Sequence, residues 1–220
     1  SKKVQMTRIT LTNEDLTSAI PDTHSSVSVP GLSESIEIFR DHYGIPHVRT
    51  RTTEDAFFAQ GFVTAQDRLW HMEFDRRRAY GRWAKLAGPT GLEQDIMMRT
   101  FRLGPSAYTD YDAISPKTRT MLDSYATGVN AFIESTKTLP IEYKILGASP
   151  EPWQPWDSLA IFKFRHVLMG VFESKVWRAR LVNYLGPEQA ARLFTGYQSG
   201  QPLIIPPGVD YVQAHDDALQ

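Results

Sequence analysis

IEIFRDHYGIPHVRTRTTEDAFFAQGFVTAQDRLWHMEFDRRRAYGRWAKLAG, residues Ile36 to Gly88, joins two short extended segments to one long helix. Residues 35–39 alternate between polar and apolar side chains, as a half-buried strand does. Asp41 to Gly44 reads as a turn, with Gly44 free to take positive φ. Ile45 to Val48 returns as a second strand, and Pro46, which has no amide donor, keeps it to an edge or to one-sided pairing. A helix is predicted from Thr53, read as its N-cap, with Glu54 and Asp55 in the first turn where the helix dipole favours them. Phe58, Phe62, Ala65, Leu69 and Met72 then fall at spacings of four and three and share one face. The pattern holds to Arg78, restarts through Trp83 to Leu86, and closes at Gly88-Pro89.

Further along, Ser115-Pro116 marks a second helix start, since proline at the first helical position loses no bond. Its apolar stripe is Met121, Leu122, Tyr125, Val129, Phe132 and Ile133. Residues 137–156 hold Gly147, Pro150, Pro152 and Pro155 and read as a loop. Asp157 is expected to cap a third long helix over 158–185, stopped by Gly186-Pro187, with Ala160, Ile161, Phe164, Val167, Leu168 and Val171 facing inward. A short helix follows over 188–194. Residues 1–34 are polar, rich in Ser and Thr, and read as an arm. Residues 197–220 read as an extended tail. The fold predicted is mainly α with a short N-terminal β hairpin, organised as one helical region over 35–196.

Bulk composition excludes several classes. A formal net charge of −1 over 220 residues gives no field for nucleic acid. No run of about 18 apolar residues is present, so no membrane span is expected. The opening SKKVQMTRIT has no apolar stretch behind its basic residues and reads as no secretory signal. The chain has no cysteine, hence no disulfide and no thiolate ligand or nucleophile. The six histidines show no HExxH or HxH spacing. His42 and His47 flank the hairpin turn and read as its polar residues. No phosphate loop and no GxSxG elbow occurs.

The charged stretch Asp67 to Arg78 admits two readings. One is an anion site for a substrate carboxylate. The other is an ion-pair network, with Asp67 beside His71 and Glu73 beside Arg77 at i,i+4. The second is favoured, because Asp67 and Arg68 adjoin Leu69 and Trp70, and a buried arginine must be paired. Phe57, Phe58, Phe62, Trp70, Phe74, Tyr80 and Trp83 suit core or interface better than ligand stacking at this spacing.

GIPHV at Gly44 and AQGFVTAQDRLWHMEFDRRRAYGRWAKLAG from Ala59 to Gly88 resemble the penicillin acylase family of N-terminal nucleophile hydrolases. AQDRLWHME (Ala65 to Glu73) is the most specific part. TGVNAFIE (Thr127 to Glu134) and EPWQPWDSLAIFKF (Glu151 to Phe164) resemble the family's next two helices, so the likeness runs over 35–186. It implies a proenzyme that cleaves itself, with this chain as the small (alpha) subunit completing an αββα fold with a large (beta) subunit from the same precursor. It implies an amidohydrolase acting on linear amides: N-acyl β-lactams, acyl homoserine lactones, cyclic lipopeptides or acylated amino acids. The Ser nucleophile, its α-amino base and the oxyanion donors lie on the large chain, so no catalytic residue is expected here, and no cofactor for catalysis. The small subunit contributes to the acyl pocket. Laid on the third helix, the resemblance assigns His166, Met169 and Gly170 to substrate binding. Penicillin G acylases carry Arg-Phe where Met169-Gly170 stands, which points away from a phenylacetyl group and toward a pocket with Arg165 or His166 near an acyl carboxylate. Glu173 is assigned to a structural calcium held between the subunits, calcium taking oxygen ligands. A periplasmic or secreted location follows from the same resemblance. Two other readings stand beside it. Ser1 could be an N-terminal nucleophile, against which Lys2 and Lys3 argue, since a nucleophile needs a pre-organised, rigid setting. The chain could also be a non-catalytic helical binding protein.

Overall fold

A computed structural model describes residues 10–170 and 172–193. Helix α1 (Asn13–Ser18) precedes strands β1 (Glu37–Arg40) and β2 (Pro46–Arg49), which are followed by α2 (Thr53–Ala79), α3 (Ala84–Ala87), α4 (Leu92–Phe101) and α5 (Leu103–Ala113). Then come α6 (Pro116–Ser135), α7 (Ile141–Leu146), α8 (Pro155–Met169), α9 (Phe172–Leu185) and α10 (Pro187–Leu193). By internal contact the chain divides into two compact units, Ser1–Met169 and Gly170–Gln220. The architecture is mainly α with a short β hairpin, as the sequence predicts.

The hairpin is antiparallel, with Glu37 opposite Arg49 and Phe39 opposite His47. Gly44 turns it at φ +79. Phe39 and His47 stack at 4.8 Å, and His47 Nε2 lies 3.0 Å from Asp41 Oδ2. A two-stranded hairpin is marginal alone, and Arg40 ties this one to α2. Its guanidinium donates to both Asp67 oxygens at 2.8 and 3.1 Å and to Gln66 Oε1 at 2.7 Å. Asp67 therefore serves the hairpin rather than His71, and Asp67 and Arg68 are exposed rather than buried.

Two clusters form the core of the first unit. Leu69 and Met72 of α2 meet Val129 and Phe132 of α6 with Tyr143 and Trp153. Ala79, at the end of α2, meets Met98, Leu103 and Ala107 with Ala160 and Phe164 of α8. Phe58, Ala65, Leu69 and Met72 of the predicted α2 face are buried. Buried Asp95 accepts from the Trp83 and Ala84 amides at 2.9 and 2.7 Å, which satisfies the otherwise orphaned first turn of α3.

Several elements differ from expectation. Thr52, not Thr53, caps α2, its hydroxyl accepting from the Asp55 amide at 3.0 Å. Ser115 caps α6 as predicted. Helices α4 and α5 were not legible, and α7 lies within the span read as a loop. The described part of the arm holds α1, closed by a Thr12–Asp15 capping box. Asp157 is not an N-cap: it sits in the first turn of α8 and accepts the Gln154 amide at 2.9 Å, the reciprocal half of a capping box. The third helix is interrupted, leaving helical geometry after Met169 and resuming at Phe172. Ala160 and Phe164 are buried on α8, while Leu168 is exposed. Val171, Phe194, the tail 197–220 and residues 1–9 lie outside the described residues.

Candidate functional site

The charged end of α2 forms a buried network rather than an open anion site. Glu73, Arg76, Arg77 and Asp157 are each less than 5% exposed. Glu73 pairs with Arg76 and, at 2.6 Å, with Arg77 Nε, which is the predicted i,i+4 pair. Arg76 also donates to Asp157 Oδ2 at 3.0 Å and to the Pro152 carbonyl at 2.9 Å, and lies over the Trp153 ring at 5.0 Å. Tyr80 donates to the other Asp157 oxygen at 2.7 Å, and burial together with Asp157 pushes the Tyr80 phenol up, so it stays a donor. Arg77 reaches Glu151 at 3.1 Å. Burial raises the Glu151 carboxyl, but Arg77 and Arg82 outweigh that and hold it below its ordinary value. Asn130 brackets the Trp153 backbone, donating to its carbonyl at 2.9 Å and accepting its amide at 2.7 Å. The network fastens the segment entering α8 to α2 and α6. It fixes where α8 starts, and both of its guanidinium groups, Arg76 and Arg77, are paired with carboxylates.

One turn back along α2, buried Asp75 pairs with Arg165 of α8, and His71 Nε2 lies 3.5 Å from the same carboxylate. Sequence reasoning missed this triad, because Arg165 and Asp75 are 90 residues apart with no spacing signal. Arg165 is thereby engaged by Asp75 while its side chain stays partly exposed. The triad borders a cavity of about 560 Å³ walled by Phe57, Met72, Leu122, Tyr125, Trp153 and Ile161.

The residues assigned by resemblance are not among those that wall this cavity. His166 is exposed on the last turn of α8, its ring 4.2 Å from that of Phe162 and its Nδ1 2.9 Å from the Phe162 carbonyl. A carbonyl only accepts, so Nδ1 carries the hydrogen. In the neutral ring Nε2 is then an outward-facing acceptor, and protonation turns it into a donor. Met169, at i+3 on the same face, is 83% exposed and ends α8. Gly170 stands in the interruption between the helices, and Glu173 is exposed in the first turn of α9. No three His, Asp or Glu side chains gather into a metal site among the described residues. Calcium takes six to eight oxygens, so these residues alone do not fit a calcium ion; Glu173 offers one carboxylate. No described helix is long and apolar enough to cross a membrane.

A hairpin pinned to a long helix that kinks at Arg68 (φ −142, ψ 22), a buried Arg/Glu/Asp lock and a third helix that breaks at a glycine define this chain. Residues 35–204 match the family described as penicillin amidase, and the chain belongs to that family. It is 42% identical over 197 residues to the penicillin acylase 2 proenzyme of Pseudomonas sp. (strain SE83), covering 90% of this chain and 26% of that protein. It is 34% identical to the acyl-homoserine lactone acylase QuiP of Pseudomonas aeruginosa (81% and 21% covered) and 35% identical to the penicillin G acylase of Escherichia coli (61% and 17%). The chain thus spans about a quarter or less of the length of these relatives. Among solved structures, a thermostable penicillin G acylase from Alcaligenes faecalis matches with TM-score 0.63 and 27% identity, over 80% of this chain and 98% of that one.

Proposed function

We propose that this chain is the small subunit of a heterodimeric acylase that hydrolyses a linear amide bond and removes an N-acyl group. The observation that carries the reading is a pair of coverages: 26% of a penicillin acylase proenzyme, against 98% of a solved penicillin G acylase chain. A family member of that extent is the right size for one product of a processed precursor. The larger partner chain supplies the N-terminal Ser. Its α-amine, with an ordinary pKa of about 8, takes the hydroxyl proton as oxygen attacks the amide carbon. In this assembly the two chains complete the αββα sandwich. Glu173 supplies one oxygen ligand to a calcium shared with the partner, and the enzyme works in the periplasm or outside the cell.

This chain's own part is acyl recognition. His166 and Met169 project from the exposed last turn of α8, and Gly170 lets the chain leave the helix without a side chain filling the space beyond. Mid-helix glycine costs about 1 kcal/mol relative to alanine, which makes a break there inexpensive. The His166 ring, held by Phe162, presents Nε2 to the acyl group: neutral, it accepts from a hydroxyl or amide; protonated, it donates to a carboxylate. The substrate class is an N-acyl β-lactam, acyl homoserine lactone or acylated amino acid. The test is a screen of N-acyl amides varied in acyl length and charge, run on the assembled two-chain protein. Release of free amine by the wild type supports the reading, and its absence from every substrate would sink it. His166→Ala should lower kcat/KM more for carboxylated than for neutral acyl chains; equal losses would remove the assigned role of His166.

A further inference from the structure

Successive residues of α2 reach opposite ends of α8. Arg76 donates to Asp157 in the first turn of α8, and Asp75 accepts from Arg165 in the last. One helix thus fastens the other at two points eight residues apart, about 12 Å along the α8 axis. Between them Ala160 and Phe164 are fully buried. Beyond Phe164 the helix runs out of the core: Val167 is partly buried against the second cluster, and Leu168 and Met169 are exposed. His166 bonds within its own helix, to the Phe162 carbonyl, which does nothing to hold the turn against α2. Arg165 does hold it. A single guanidinium nitrogen, Nη2, donates to Asp75 and, at 2.5 Å, to His71 Nε2. A guanidinium cannot accept, so His71 takes the bond on a bare Nε2 and carries its hydrogen on Nδ1.

We infer that Asp75 is a positioning residue for acyl recognition: through Arg165 it sets where the last turn of α8 holds His166 and Met169. The inference rests on the acyl-recognition reading above. Stability alone does not account for a carboxylate at this place. Asp75 is buried, and its second oxygen, Oδ1, has no hydrogen-bond partner among the described residues. A buried ion pair gains little over an apolar pair of the same volume, and an unpaired buried oxygen adds a further cost. What the pair supplies is direction, because a charged hydrogen bond fixes one geometry where apolar side chains slide. Arg165 precedes His166 and stands at i,i+4 to Met169, so it shares a helix face with the more exposed of the two. Met169 lies about 6 Å beyond Arg165 along the axis, so a tilt of about 10° moves it by about 1 Å. A misplacement of about 1 Å is enough to cost on the order of 100-fold in rate.

The test uses the assembled two-chain protein with Asp75→Asn, Arg165→Met and Arg165→Lys. It reads kcat and KM on N-acyl amides of graded acyl length, together with amide hydrogen exchange over residues 165–169. Asp75→Asn and Arg165→Met should lower kcat/KM on the longest acyl chain the wild type cleaves by roughly tenfold or more. The loss should come through KM, as loss of binding shared by ground and transition states does, and the shortest chain should keep its rate. Exchange should quicken over 165–169 and stay unchanged over α6. Arg165→Lys should keep the wild-type profile, since both bonds leave one nitrogen and an ammonium has three hydrogens to give. The double variant Asp75→Asn/Arg165→Met removes the tie without stranding a buried charge, and should show the same altered profile where a single variant fails to accumulate. Equal losses of kcat on every chain length with KM unchanged would make the pair structural only and overturn the inference. So would an unchanged profile in the double variant, with or without faster exchange over 165–169. A loss in Arg165→Lys as large as in Arg165→Met would give the guanidinium itself to the substrate, and overturns it too. His166→Ala, run beside these, separates the two readings. If it shifts acyl preference and Asp75→Asn does not, positioning alone fails; if neither shifts it, acyl recognition by α8 fails as well.

Discussion

Gly61 of α2 and Gly128 of α6 set how closely the two main helices approach. A Cβ on Gly61 would lie 2.1 Å from the Tyr125 carbonyl oxygen, and one on Gly128 would lie 1.9 Å from the Phe58 carbonyl oxygen. Each glycine faces the other helix's backbone one turn before or after its partner, so neither clash can be relieved by turning a side chain. Gly61→Ala or Gly128→Ala must push the helices apart and loosen Val129 and Phe132 from Leu69. Overpacking of this kind costs about 1–3 kcal/mol, and the backbone contact puts both variants at the upper end. Urea unfolding should show a lower midpoint for each variant.

The Glu73–Arg76–Asp157 lock yields a second prediction. Arg76→Met leaves two buried carboxylates short of a counter-charge, and Glu73→Leu leaves Arg76 and Arg77 in excess. Breaking a buried pair from one side costs about 3–5 kcal/mol, so each single variant should unfold at markedly lower urea. The double variant should lose less than the sum of the two, with a coupling of about 1 kcal/mol or more between residues in one network. Simple addition would show that Arg76 acts through Trp153 and the Pro152 carbonyl instead.

Acid should destabilise the fold through identifiable carboxylates. The Ser33 hydroxyl and amide hold the Asp55 carboxyl below its usual range, and Arg77 and Arg82 do the same for Glu151. Groups depressed on folding contribute fully above their unfolded values, about 3.9 for Asp and 4.3 for Glu, and lose that contribution as pH falls through the folded ones. Unfolding free energy should therefore be flat from neutrality to about pH 5 and fall below it. Asp55→Asn should lower stability at neutral pH and flatten the acid-side slope. An unchanged slope would place the acid sensitivity elsewhere.

Local signals explain what could be read from sequence. Helices α2 and α6 are long, carry hydroxyl caps, and bury one face each, so periodicity finds them. Helices α4 and α7 are short and turn Ile96 and Ile145 outward, which spoils the period. The Arg76–Asp157 and Asp75–Arg165 pairs join residues 81 and 90 positions apart, a proximity that charge spacing along one helix does not encode. His166, Met169 and Gly170 were assigned only through resemblance, because an exposed His, an exposed Met and a loop Gly carry no chemistry in their own pattern. The break at Gly170 was legible in part: glycine marked the place, yet the apolar residues on both sides keep a helical period through it.

Arg102 ends α4 and precedes α5 at φ +57, the only non-glycine with positive φ among the described residues. The left-handed region costs an L-residue with a Cβ roughly 1–2 kcal/mol, and glycine is free of that penalty. Arg102 is exposed, so little packing is lost with its side chain. Arg102→Gly should thus raise the unfolding midpoint or leave it unchanged, the relief being offset by the extra freedom glycine gives the unfolded chain. Arg102→Val, β-branched at the same φ, should lower it. A drop with glycine equal to that with valine would mean that the guanidinium itself, rather than the turn, holds α4 and α5 together.

Gly170 gives the prediction that reaches substrate choice. On the acylase reading the space past Met169 is left to the acyl chain, so Gly170→Leu should shorten the acyl group accepted. One methylene in an apolar pocket changes kcat/KM by about 10–200-fold. The variant should therefore lose at least roughly tenfold on the longest acyl chain the wild type cleaves and keep its rate on the shortest. Met169→Ala, which removes bulk from the same edge, should shift preference the other way. Opposite shifts from adjacent residues distinguish a pocket wall from a loss of folding, which would depress all chain lengths together. Parallel losses for both variants across the series would take Gly170 and Met169 out of the acyl pocket.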